Sequence, residues 1–297
     1  MAKCGEDKSC STCELRSSCK EEDQHRCQRE GLEKRLQYIR RSIMVMSGKG
    51  GVGKTTVAVN LAAAWAREGN RVGILDADIH GPNVPKMFGL GWRPLVAGEE
   101  GIEPVTAACG IKLMSLAFLL PEDNSPVVWR GPVKHNALKQ LLGEVNWGEL
   151  DFLIVDLPPG TGDEPLSVAQ LLKDRVNGAI VVTTPQEVSL LDARKALSFS
   201  KLLGIRILGI VENMSGLKCP HCGGEIQLFK TGGGKRLAEE TGTPFLGSIP
   251  LDPQVVQRGD SGPPVVLAEP SSHVASAFLE IAKRVKEALH LDGGGLS

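Results

Sequence analysis

The sequence predicts an α/β fold: a mostly parallel sheet flanked by helices on both faces, with a short cysteine-rich N-terminal arm. Three observations predict it. Apolar runs of strand length alternate with segments of helical periodicity from about Tyr38 onward. Those runs are nearly unbroken, as in strands covered on both faces. The first 36 residues are charged and cysteine-rich with almost no apolar pattern, so too little can be buried there to fold without a metal. The expected organisation is an arm over residues 1–36, a main domain over 37–291 and a loose glycine-rich tail over 292–297.

The elements follow in order. "SIMVMS" is a short apolar strand that runs into a glycine loop. "KTTVAVNLAAAWAREG" has apolar residues at helical spacing and Gly69 as its stop. "RVGILDAD" is a second buried strand ending in acids; "DFLIVDLPPG", "GAIVVTTP", "RILGIVENM" and "PFLGSIP" are the next four. "TAACGIKLMS" reads as a further buried strand, with Cys109 inside it as a small core hydrophobe. Helices are expected over Ser189–Leu203 and Gly232–Thr241, and "SHVASAFLEIAKRVKEALH" is an amphipathic C-terminal helix. Ligands of such sheets bind beyond the carboxyl ends of the strands. The glycine loop, Asp76, Asp78, Asp156 and Asn213 all fall at strand C-termini and so are expected to converge on one edge.

Composition excludes several classes. There is no apolar run of about 18 residues, so no membrane span is expected. The polar, cysteine-bearing N-terminus is not that of a secretory signal. A formal net charge of −1 argues against a general nucleic-acid binder, and 4% aromatics against a base-stacking platform. The expected location is cytoplasmic, where clustered cysteines read as metal or cluster ligands rather than disulfides.

Gly48 to Thr55 fits G-x-x-x-x-G-K-[ST], with a strand before it and a helix after it. Glycines at Gly48, Gly50, Gly51 and Gly53 let backbone N–H groups approach phosphate oxygens, and the helix N-terminus favours negative charge. Lys54 would reach the β- and γ-phosphates of ATP, and Thr55 would hold Mg²⁺, with Val52 and Thr56 completing the loop. Asp156 ends the strand "FLIVD" and is the expected Mg²⁺ partner, as in phosphate-loop enzymes generally. Asp76 and Asp78 alternate with Ala77, so in an extended segment they point the same way. Asp78 is expected to orient the attacking water and Asp76 to support the metal. "PPGTGDE" after Asp156 is a candidate γ-phosphate sensor.

The stretch "KGGVGKTT" has a lysine, Lys49, that a phosphate loop does not need. It resembles the deviant phosphate loop (deviant Walker A) of the NTPase family that includes septum-site positioning proteins, plasmid partition ATPases, nitrogenase iron protein and Mrp-type cluster carriers. The resemblance implies that Lys49 crosses a homodimer interface to the neighbouring subunit's nucleotide, a role similar to an arginine finger supplied in trans. It also implies that Asn213 in "VENM" reads adenine.

Five of the eight cysteines lie in the first 27 residues, two form the C-x-x-C of "KCPHCGG", and Cys109 stands apart. Cys219 and Cys222 are half a [4Fe–4S] site, which wants four thiolates; a symmetric dimer would complete it. Taken alone the pair equally suits a zinc half-site, a redox dithiol or a packed loop. His221 between them is a lesser ligand candidate. Its setting, "MSGLKCPHCGG" after "ILGIVEN", together with "DADIHGPNVPKMFG" and "DLPPGTGDEPLS", resembles the Mrp-type (ApbC-like) iron–sulfur cluster carrier ATPases from about Ile43 to Leu289. That likeness implies a labile bridging [4Fe–4S] cluster held by Cys219 and Cys222 of two subunits. In the arm, Cys10, Cys13 and Cys19 match the C-x2-C-x5-C core of a second, N-terminal [4Fe–4S] cluster in the family's cytosolic scaffold branch. The first cysteine sits closer than that branch has it, so Cys4 or Cys27 is the fourth ligand, with His25 a poorer one. Exposed thiols or a zinc knot are the alternatives there.

The resulting expectation is a homodimeric, ATP- and Mg²⁺-dependent carrier or scaffold. It would receive [4Fe–4S] clusters from donors and pass them to apo-proteins, with no nucleic-acid or membrane partner. A positioning ATPase and an ATP-driven electron-donating reductase are the alternatives. A small-molecule kinase is weaker, since no second-substrate basic cluster is evident.

Overall fold

Aliphatic and β-branched runs make strands here because a pleated surface buried on both faces suits them. In the computed structural model, which describes residues 30–290 apart from 32, 79–80, 99–100, 120–130, 173–174, 220–221 and 227, eight strands form one sheet. They are β1 (Ile39–Met46), β2 (Val72–Asp76), β3 (Val105–Thr106), β4 (Lys112–Ser115), β5 (Leu150–Asp156), β6 (Gly178–Thr183), β7 (Ile207–Glu212) and β8 (Phe245–Ser248). Their spatial order is β8-β7-β6-β1-β5-β2-β4-β3. Every neighbouring pair is parallel except β3 with β4. Both β2 and β6 are buried along their whole length, as strands covered on both faces must be.

Register positions the acids. Asp76 of β2 lies opposite Asp156 of β5, and Val45 of β1 lies opposite Asp156 on its other side. The loop after β1 therefore leaves the sheet beside two carboxylates at the same level.

The longer helices are α1 (Lys54–Arg67), α2 (Gly131–Gly143), α3 (Asp163–Leu172), α4 (Glu187–Leu202), α5 (Gly233–Thr241), α6 (Pro253–Ser261) and α7 (His273–His290). The run Val57 to Ala66 of α1 is buried all round, as befits a helix pressed between sheet and neighbouring helix. Trp65 stacks on Phe152 of β5 at 4.5 Å between ring centroids, and its Nε1 donates to the Ala282 carbonyl of α7 at 3.2 Å. The helix stops where Asn70 N–H returns to the Trp65 carbonyl across Gly69. In α7, Val274, Phe278, Ile281, Val285 and Leu289 bury one stripe, the amphipathic pattern expected.

One expectation is overturned. Cys109 is not a core residue of a buried strand. It sits exposed, at φ 57°, in the tight turn Ala108–Gly110, and the strand begins only at Lys112. Ala107 N–H donates to the Ile111 carbonyl and closes the turn before the strand, turning the thiol out. The arm cysteines Cys4, Cys10, Cys13, Cys19 and Cys27, with His25 and the tail, lie outside the described residues.

Candidate functional site

The loop from Ser47 to Gly53 joins β1 to α1, and its course is fixed by two close approaches. A Cβ on Gly48 would come within 2.0 Å of the Asp192 carbonyl oxygen, so the first turns of α4 rest directly on the loop backbone. Gly53 caps α1 at φ 82°, and a Cβ there would lie 2.1 Å from Asn213 Nδ2. Further bonds hold the loop: Ser47 Oγ donates to the Lys49 carbonyl at 2.9 Å, and Gly160 N–H donates to the Ser47 carbonyl at 2.9 Å. The second of these brings the "PPGTG" segment against the loop, with Pro159 in the cavity wall.

The loop lines a cavity with Ser47 and with every residue from Lys49 to Thr56. Lys49 and Asp78 stand in its wall, as does Lys86, and α6 supplies Val255, Val256 and Asp260 from the far side. Sequence reasoning missed the α6 wall. Its local trace was "DP": Asp252 accepts a hydrogen bond from Gln254 N–H at 2.8 Å and Pro253 opens the helix.

Beneath the loop lies a charged cluster. Lys54 Nζ pairs with Asp156 Oδ1 at 2.8 Å, and Thr55 Oγ1 donates to Asp156 Oδ2 at 2.6 Å. The Lys54 side chain is 6% exposed and that of Asp156 0%. Burial raises the Asp156 carboxyl above its usual range, against the pull of Lys54 and Thr55. Burial, then the neighbouring Asp156 charge, pushes Asp76 up to about 8.

The two acids at the end of β2 part company. Asp76 is wholly buried: its Oδ2 accepts from Ser115 Oγ at 3.0 Å and Val84 N–H at 3.2 Å, and its Oδ1 from Asp78 N–H at 3.2 Å. It is a bracket for the following loop. Asp78 reaches the cavity, with Gly81 N–H on its Oδ1 at 3.2 Å. The two acids thus differ in setting, Asp76 wholly buried at the end of β2 and Asp78 in the cavity wall.

These residues suit a hard divalent cation. Buried carboxylate and hydroxyl oxygens, short of positive charge, are the donor chemistry Mg²⁺ takes. Among the described residues no group of three or more His, Cys, Asp or Glu side chains could hold a metal by itself. That fits a cation shared between Thr55, Asp156 and nucleotide phosphates rather than a protein-only cage.

Asn213, expected at adenine, is 5% exposed and braces the loop: its Nδ2 donates to the Val52 carbonyl at 2.9 Å, while its N–H donates to the Thr183 carbonyl at 2.8 Å. A contact with the base would fall to the amide's oxygen or its second N–H.

Beyond Asn213 the chain makes a small two-stranded hairpin, Leu217–Lys218 against Glu225–Ile226. Cys219 N–H donates to the Gly224 carbonyl, and Gly223 N–H to the Cys219 carbonyl, both at 2.9 Å, closing its tip. Cys222 is exposed and Cys219 half-buried. His221 lies outside the described residues. Two thiols are two ligands, and among the described residues they belong to no group of three or more acids, imidazoles or thiols that could hold a metal.

Comparison with known proteins agrees with this geometry. The family described as ParA, NUBPL iron-transfer P-loop NTPase, matches residues 38–286. The iron–sulfur cluster carrier protein of Methanocaldococcus jannaschii is 47% identical over 288 residues, covering 97% of this chain and 98% of that protein. The protein of the same description from Saccharolobus solfataricus is 50% identical over 254 residues, 86% of each. Among solved structures, an ADP complex of a nucleotide-binding protein from Archaeoglobus fulgidus, in which cobalt was found, superposes with a TM-score of 0.70. It is 43% identical and covers 78% of this chain and 90% of that one. The septum site-determining protein MinD of Pyrococcus horikoshii, complexed with Mg-ADP, gives 0.61 at 25% identity, covering 84% and 98%. Among the described residues no helix is long and apolar enough to cross a membrane.

Proposed function

Because the chain belongs to the NUBPL-type iron-transfer P-loop NTPase family, we propose that it is a cytoplasmic, homodimeric ATPase that carries [4Fe–4S] clusters to apo-proteins. The observation that carries this reading is the placement of Cys219 and Cys222. They sit on an outward hairpin that leaves β7 directly after Asn213, the residue bracing the phosphate loop. The pair offers two of the four thiolates that a [4Fe–4S] cluster takes, and a second subunit's pair would complete the set.

In this reading ATP enters the cavity and Lys54 turns from Asp156 to the β- and γ-phosphates. Mg²⁺, held by Thr55 and Asp156 with Asp76 supporting from beneath, supplies charge neutralisation at those phosphates. Asp78 orients the attacking water, with "PPGTG" sensing the γ-phosphate. Lys49 of each protomer adds a positive charge at the other's nucleotide, so turnover requires the dimer. The dimer brings the two thiol pairs together on one labile cluster, the cargo. Nucleotide can drive loading or release only by binding two hairpin arrangements with different affinity. A second [4Fe–4S] cluster on Cys10, Cys13 and Cys19, with Cys4 or Cys27, would order the arm or dock cluster donors.

The test is anaerobic reconstitution with iron and sulfide, read by Mössbauer spectroscopy and transfer to an apo-protein. Cys219→Ala/Cys222→Ala should lose the transferable cluster, while Cys10→Ala/Cys13→Ala should lose only the arm's. Full iron content and unimpaired transfer in the first double variant would end the carrier reading.

A further inference from the structure

Glu212 is the last residue of β7 and is completely buried, yet the nucleotide chemistry above does not use it. Three donors converge on its carboxylate. Ser215 Oγ donates to Oε1 at 2.5 Å, and Gly232 N–H donates to the same oxygen at 2.9 Å. Gly234 N–H, in the first turn of α5, donates to Oε2. Ser215 and Gly232 are the two ends of the excursion that carries Cys219 and Cys222. One carboxylate thus ties both stems of the thiol hairpin to the end of β7.

The same stretch reaches the phosphate loop. Asn213, the next residue, holds the Val52 carbonyl, and the methyl end of Met214 lies 3.9 Å from where a Gly53 Cβ would be. Both stems turn through left-handed backbone at non-glycine residues, Met214 at φ 58° and Lys230 at φ 67°. Such turns persist only where their surroundings hold them, and Glu212 bonds Ser215 and Gly232, one and two residues beyond them. Further bonds tie the excursion to the body: Ser215 N–H donates to the Ile249 carbonyl, Leu251 N–H donates to the Gly216 carbonyl, and Leu217 bridges Leu251.

We propose that Glu212 is a positioning residue that couples occupancy of the phosphate loop to the arrangement of Cys219 and Cys222. A shift of the Val52–Gly53 backbone when phosphate binds moves Asn213 and Met214. Glu212 carries that movement to both stems at once, so the hairpin turns as a unit instead of fraying at one end. The idea deepens the carrier reading and rests on it for its purpose, but the coupling itself is measurable in protein without a cluster.

The experiment uses the full chain, reduced and cluster-free, and follows alkylation of Cys219 and Cys222 by iodoacetamide with peptide mass spectrometry. Rates are compared without nucleotide, with Mg-ADP and with a non-hydrolysable Mg-ATP analogue. The wild type should show rates that differ by about fivefold or more between states, the lower end of ordinary site-to-site coupling. Ser215→Ala removes one donor and leaves the carboxylate in place. Glu212→Gln sets an amide N–H₂ against a backbone N–H where an acceptor stood. In both, nucleotide affinity should stay within about fivefold while the labelling ratio collapses toward one. Ser215→Thr keeps the hydroxyl and should restore the ratio, which a merely structural role for the site would not predict. Circular dichroism melts check folding, and Ser215→Ala serves if Glu212→Gln does not fold. Equal labelling in all nucleotide states of the wild type would overturn the proposal, as would a wild-type ratio in Ser215→Ala. Full iron content and unimpaired transfer in Cys219→Ala/Cys222→Ala would overturn the carrier reading alone and leave the coupling measured here standing.

Discussion

Replacing Lys54 by Met should destabilise the nucleotide-free protein, and by an amount that depends on pH. Asp156 has no exposed side-chain surface and meets Lys54 at 2.8 Å. Removing one partner of a buried pair typically costs about 3–5 kcal/mol, because the other charge is left uncompensated. For a domain of this size that corresponds to a melting shift of roughly 6–20 °C. Asp156 can escape the penalty by taking up a proton. Its carboxyl is already raised by burial, and Lys54 is the largest influence holding it down, so the substitution raises it further. A folded-state carboxyl raised above its unfolded value favours folding at low pH and loses that advantage as pH rises. The deficit relative to wild type should therefore be smallest at acid pH and grow as pH rises. Urea denaturation in the presence of EDTA at several pH values reads it directly. A deficit equal at both ends of the range, or below about 1 kcal/mol throughout, would show that the pair is not a buried charge interaction.

Three further expectations follow from the site. Lys49→Ala should leave the melting temperature unchanged but cut steady-state ATP turnover on the order of 10³-fold if the lysine acts across a dimer as an arginine finger does; unaltered turnover would remove that role. Gly53→Ala places a Cβ 2.1 Å from Asn213 Nδ2 at a φ of 82°, so a fluorescent ADP analogue should lose most of its affinity, while Gly91→Ala, with nothing within 4 Å and outside the cavity wall, binds nearly normally. Asp76, pushed up to about 8 from 3.8, holds its proton in the folded state over a range where the unfolded chain has lost it. Its contribution to apo-protein stability is complete below the unfolded value and fades as pH rises to about 8, by at most about 1.4 kcal/mol per pH unit. Mg-nucleotide should then bind with proton release below about pH 8, seen by calorimetry in buffers of different ionisation enthalpy.

The strands, α1 and the phosphate loop were legible because their determinants are local: unbroken apolar runs, an alanine-rich helix and glycines at fixed spacing. The convergence of Asp76, Asp78, Asp156 and Asn213 on one edge was legible too, since all follow strand ends in a parallel sheet. Their separate tasks were not. Asp76 is a bracket because Ser115, 39 residues away, donates to it, and no local pattern announces that partner. Asn213 braces Val52 from 161 residues away for the same reason. Cys109 was misplaced because the apolar tone of "TAACGIKLMS" hides the turn that Cys109 and Gly110 make at positive φ. The α6 wall was invisible because its residues have no chemistry until the fold sets them across the cavity.

That wall has a consequence for how the chain comes into being. The phosphate loop lies in the first fifth of the sequence, whereas Val255, Val256 and Asp260 come from the last. A chain still emerging from the ribosome has a complete glycine loop long before it has a closed pocket. Tight nucleotide retention would report that the last segments had been made and docked, so a ribosome-stalled chain ending before Pro253 should let ATP go.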